Sequence, residues 1–103
     1  LILIAMGKFQ EIIAGNTPGL VDFFAEWCGP CKMMKPVLEE LKHKMGDRLI
    51  VLKIDIDKNQ PMAMAYQIQS VPTLILWKNG QIAWRQSGAL PLYELEQILS
   101  SYL

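Results

Sequence analysis

Apolar and polar positions follow two periods along this chain, and the switches between them mark its elements. Leu1 to Ala5 reads as a short strand. Lys8 to Ala14 sets Phe9, Ile12 and Ile13 on one helical face. Gly15-Asn16-Thr17-Pro18-Gly19 is a loop by composition. Leu20 to Ala25 is almost wholly apolar, the signature of a central strand covered on both faces. A long helix then runs from Cys28 to Met45, its stripe of Met34, Val37, Leu38, Leu41 and Met45 spaced three and four apart. Pro36 predicts a kink in it and Gly46 a stop. Leu49 to Ile56 is a second hydrophobic strand, and Asn59 to Gln67 a helix with Pro61 in its first turn.

Thr73 to Trp77, Asn79-Gly80 and Gln81 to Gln86 make a β-hairpin with a two-residue turn. The register expected from that turn puts Ile75 opposite Trp84 and Trp77 opposite Ile82. Pro91 to Tyr102 is the last helix, with Leu92, Leu95, Leu99 and Tyr102 inward. Strands alternating with helices predict an α/β domain with a mixed sheet and helices on both faces.

Composition narrows the function. The 103 residues suit one domain, 1–103, with a core of its own. Half are hydrophobic (51%) and 19% are charged, which is globular rather than disordered. Ten basic side chains balance ten acidic ones, and no charge run exceeds two residues, so neither nucleic acid nor an anionic membrane is an expected partner. Apolar runs fall far short of the ~18 residues that span a bilayer. The chain opens without an initiator methionine, and Leu1 to Ala5 lacks the charged region and full apolar stretch of a signal peptide. Something upstream is therefore expected to have been removed or trimmed, and compartment is not read from this end.

The candidate chemistry lies in Trp27-Cys28-Gly29-Pro30-Cys31, where the central strand turns into the long helix. Residues three apart on a helix are neighbours, so the two Cα atoms fall within disulfide reach. So short a loop makes a poor staple, worth roughly 2 kcal/mol by loop entropy, and a good switch. Cys28 at the helix amino terminus meets free N–H groups and the positive end of the dipole, which favour a thiolate. Cys31, one turn inside, is more shielded. The asymmetry gives an attacking and a resolving cysteine. The competing readings are half a zinc site and a pair of buried structural cysteines. Zinc needs two further ligands, and the chain has no other cysteine and only His43, a surface position by its charged neighbours.

Asp22 interrupts the apolar strand six residues before Cys28. Either that face is solvated there, or the carboxyl is buried with a raised pKa and suits a proton acceptor for Cys31. Lys53 on the neighbouring strand either shares this pocket or snorkels at an edge. Pro72, in Val71-Pro72-Thr73, either starts a strand in trans or is cis.

The segment LVDFFAEWCGPCKMMKP, residues 20–36, closely resembles the thioredoxin family. The likeness extends over about residues 19–103: an aspartate at Asp22, a lysine at Lys53, Val71-Pro72-Thr73, a Lys78-Asn79-Gly80 hairpin and Gly88-Ala89-Leu90. Phe24 stands where the family commonly has tryptophan, and Ser70 where glycine or alanine is frequent. The resemblance implies a thioredoxin fold with a central mixed sheet of about five strands. It also implies protein-disulfide reduction by dithiol–disulfide exchange at Cys28 and Cys31, and a cis Pro72 packed against the disulfide. Trp27, Gly29, Pro30, Val71, Pro72, Gly88 and Ala89 would form the apolar rim that receives a substrate backbone. The implied partners are thioredoxin reductase and protein disulfides, with no cofactor or metal, in a cytoplasmic monomer. An exported reductase or isomerase and a redox-gated binding module are the alternatives.

Overall fold

The computed structural model describes residues 6–103, so the strand expected at Leu1 to Ala5 lies outside the described residues. The elements run α1 (Met6–Ala14), β1 (Gly19–Phe24), α2 (Gly29–Met45), a 3-10 turn (Gly46–Arg48), β2 (Ile50–Asp55), α3 (Gln60–Ala65), β3 (Thr73–Lys78), β4 (Gln81–Ser87) and α4 (Leu92–Ser100). Among the described residues the sheet has four strands, in the order β2-β1-β3-β4. β1 and β2 are parallel, with α2 as the crossover that such a pair requires, and the remaining pairs are antiparallel. The α/β architecture with a mixed sheet is therefore as expected.

Helices cover both faces. On one side Met34, Leu38 and Leu41 of α2 and Leu95 and Leu99 of α4 pack against Leu20, Val51, Leu74 and Leu76. On the other, Phe9 and Ile13 of α1 and Met62 of α3 pack against Val21, Phe23, Leu52, Ile54, Ile75 and Trp77. β1 supplies both layers, which is why its sequence shows almost no polar alternation. Pro36 lies inside α2, which continues through it to Met45.

The hairpin register needs one correction. Trp77 does face Ile82, but Ile75 faces Arg85, and Trp84 faces Leu76. A β-bulge at Leu76/Trp77 shifts the pairing by one residue on β4. One inserted residue carries every later side chain to the opposite face. Trp84 thus joins the α2/α4 layer, and Arg85 takes the other side.

Candidate active site

β1 and β2 end at the same edge of the sheet, where the Ile56 N–H donates to the Phe24 carbonyl at 2.9 Å. The carboxyl ends of parallel strands are where open α/β sheets build their sites. The turn after β1 carries Ala25 to Cys28, and Cys28 is the N-cap of α2. Its Sγ accepts the backbone N–H of Cys31 at 3.1 Å. Pro30, lacking an N–H, sits where a first-turn donor would have no helical partner. Cys28 and Cys31 form a disulfide with their Cα atoms 5.3 Å apart. Both are buried, in a small cluster with Ala25 against Phe24, Ile56 and Val71.

When the bond is reduced, the same N–H and the helix dipole stabilise negative charge on Cys28. Among the described residues no N–H is aimed at the Cys31 sulfur, one turn further in. The Val71 carbonyl oxygen lies 3.6 Å from Cys28 Sγ. The Val71–Pro72 peptide bond is cis. Pro72 is buried, and its carbonyl accepts the Gly88 N–H at 2.8 Å, which brings the Gly88-Ala89 segment beside it. Leu90 N–H reaches Met34 Sδ at 3.3 Å, fixing that segment to α2. Of the expected rim, Trp27, Gly29, Pro30, Gly88 and Ala89 are exposed and Val71 is half-buried.

Asp22 is fully buried, and neither carboxyl oxygen has a hydrogen-bond partner among the described residues. It alternates on β1 between Leu20, which packs under α2, and Phe24, which packs on the cysteine cluster. Burial pushes its pKa up to about 7 from 3.8, with the Lys53 ammonium working against the rise. The solvated-face reading of Asp22 is therefore corrected: its strand is covered on both sides. Lys53 lies opposite Asp22 in the parallel register, half-buried, with Nζ 4.3 Å from the centre of the Phe24 ring. The ammonium thus rests over an aromatic face, a favourable cation–π arrangement. Glu26, Cys31, Lys35 and Lys53 line a cleft of about 370 Å³ beside this pair.

Asp57 is a site residue that sequence reasoning missed. Its Oδ2 accepts the Trp27 indole N–H at 2.9 Å, linking the cysteine turn to the loop after β2. Asp55 holds that loop, its Oδ1 accepting the Asp57 N–H at 2.9 Å. The available signal was position, an acidic residue just past a strand parallel to β1. His43 is exposed on α2. Among the described residues no three His, Cys, Asp or Glu side chains are grouped to hold a metal.

The thioredoxin family model matches residues 1–101. The chain belongs to the thioredoxin family. It is 46% identical over 96 residues to a thioredoxin of Bacillus subtilis, covering 91% of this chain and 92% of that one. It is 46% identical over 97 residues to the chloroplastic thioredoxin Y of rice, covering 93% of this chain but 58% of the rice protein. A solved thioredoxin structure from Plasmodium falciparum superposes over the whole of both chains with a TM-score of 0.90 at 33% identity. As a thioredoxin-family protein the chain is a protein-disulfide oxidoreductase, and Cys28–Cys31 stands at the position that carries dithiol–disulfide exchange. Among the described residues no helix is long and apolar enough to cross a membrane.

Proposed function

We propose that the chain works as a reductase of disulfides in other proteins. The Cys28 thiolate attacks one sulfur of the target disulfide, forming a mixed disulfide and expelling the other target sulfur as a thiolate. Cys31 loses its proton to Asp22 and attacks Cys28 Sγ. The mixed disulfide breaks, the Cys28–Cys31 bond forms, and the second target sulfur leaves as a thiolate. Two electrons pass to the target, and solvent protons complete its thiols. The sulfurs carry the electrons, so no bound cofactor enters.

The carrying observation is the N-cap position of Cys28, whose Sγ accepts an α2 N–H while Cys31 lies one turn inside. Asp22 suits its role because its proton affinity lies near neutrality. Lys53 tempers that affinity. Trp27, Gly29, Pro30, Val71, Pro72, Gly88 and Ala89 form the surface on which the target backbone lies. Thioredoxin reductase, by family, returns the electrons, and the chain acts as a monomer in the cytoplasm.

Insulin reduction with NADPH and a thioredoxin reductase tests the activity. Cys31→Ser accumulates a Cys28-linked mixed disulfide in non-reducing mass spectrometry, whereas Cys28→Ser traps little and reduces nothing. Equal trapping by both variants would reverse or abolish the assigned order. Target binding that survives loss of both cysteines, without turnover in the wild type, would instead mark a binding module.

A further inference from the structure

Residues 66–72 lie in neither helix nor strand, yet they bring Val71 to 3.6 Å from Cys28 Sγ. A target joined to that sulfur must run beside this stretch. Its beginning is tied to α3: Gln67 N–H donates to Met64 at 3.1 Å and Ile68 N–H to Ala63 at 2.9 Å. Its other ties run to β3 and β4. The Arg85 guanidinium donates through Nη1 to the Tyr66 carbonyl, and through Nη2 to the Gln67 carbonyl at 2.8 Å. Thr73 Oγ1 donates to the Ser70 carbonyl at 2.7 Å and lies 2.8 Å from Ser87 Oγ. A hydroxyl has one hydrogen, so with Thr73 donating to Ser70, Ser87 donates to Thr73. The Gly88 N–H closes the series on Pro72.

The register explains why these side chains act together. Arg85 is opposite Ile75 and Ser87 opposite Thr73, so both stand on the α3 side of the edge strand. That placement depends on the β-bulge, because a regular ladder would turn Arg85 to the α2 side. Arg85 meets carbonyls just beyond the end of α3, where helical partners are lacking and positive charge is favoured. Gln67, at φ 54°, holds a backbone conformation that its surroundings must maintain. A guanidinium spanning the carbonyls of Tyr66 and Gln67 does so with a fork geometry that a lysine does not reproduce.

We infer that Arg85 and Ser87 are positioning residues for docking of the target chain: they hold the 66–72 stretch where the Val71 backbone meets a target at Cys28. This rests on the proposed reduction of protein disulfides. Neither residue touches the sulfurs, so their loss weakens docking and leaves the exchange step intact.

The test compares insulin with cystamine, a disulfide without a peptide backbone, using dithiothreitol as electron donor. Arg85→Ala raises the KM for insulin about fivefold, the size of one or two partly exposed hydrogen bonds, and changes kcat less than about twofold. Cystamine turnover changes less than about twofold. Ser87→Ala shows the same pattern more weakly, Ser87→Thr restores the wild-type KM, and Arg85→Lys restores it only in part. An insulin KM unmoved in both alanine variants, or a parallel fall with insulin and cystamine, overturns the inference while the exchange reading stands. A wild-type protein that reduces neither compound refutes the exchange reading and this inference with it.

Discussion

Asp22 sets chemistry against stability within one side chain. Its carboxyl is fully buried without a hydrogen-bond partner among the described residues, and burial raises its pKa to about 7 from 3.8. The folded protein keeps this proton up to near neutrality, while the unfolded chain releases it near the ordinary carboxylate value. Between those values the folded state binds more protons, so stability falls as pH rises. The contribution is fully present below about pH 4 and is lost through about pH 7. Asp22→Ala removes the charge and leaves a small cavity whose cost does not depend on pH. The variant therefore gains on the wild type between about pH 4 and about pH 8, by on the order of a few kcal/mol. Urea unfolding of both proteins at the two pH values measures this, and a constant difference would show that Asp22 is not buried as a charge. In turnover the variant loses most near and just above about pH 7, where the Asp22 carboxyl is ionised and able to take the Cys31 proton, and little below about pH 6, where Asp22 already holds a proton.

Among the elements, β3 anchors the α1/α3 layer through Trp77. Trp77 is buried and holds edge-to-face contacts with Phe9 of α1, ring centres 5.3 Å apart, and with Tyr66 beyond α3, 5.2 Å apart. Such pairs add to the area that they bury. Trp77→Ala should cost about 3–5 kcal/mol in denaturant unfolding and loosen α1 first. Hydrogen exchange in which Phe9 and Ile13 amides keep wild-type protection would contradict that coupling. Periodicity reveals Trp77 as inward, as it reveals the apolar stripes of α2 and α4, because one buried face repeats along a regular element. The cysteine pair and Asp22 are legible for the complementary reason, since each breaks the local pattern. The bulge is not legible: Gln81-Ile82-Ala83-Trp84 fits either register by hydrophobicity, and the choice follows from packing of Trp84 with Leu76 under α4. Asp57 and Arg85 are hidden in another way. Their partners are an indole 30 residues away and main-chain carbonyls 18 and 19 residues away, and no short spacing records such contacts.

For the whole molecule, the redox bond and the folding equilibrium are linked. The disulfide joins residues only three apart, so it constrains the unfolded chain little and stabilises the folded state by roughly 2 kcal/mol on the loop-entropy account. Around a closed cycle the same energy must appear in the redox couple. If oxidation stabilises folding, folding must favour oxidation, and the folded dithiol is a better reductant than the same pair in the unfolded chain. At about 30 mV per 1.4 kcal/mol for two electrons, the folded couple should be roughly 40 mV more negative. Stabilisation of the Cys28 thiolate by the helix amino terminus acts in the opposite direction, because it favours the reduced folded form. The two effects separate by pH. Below the thiol pKa the reduced form is neutral, and the full loop contribution remains. Above it the stability gap between oxidised and reduced protein narrows. Urea unfolding of both forms at about pH 6 and about pH 9, set beside glutathione equilibration of native and urea-unfolded protein, measures both sides of the cycle. A gap that widened with pH would mean that the fold holds the thiolate less well than water does, and Cys28 would then lose its assignment as the attacking sulfur.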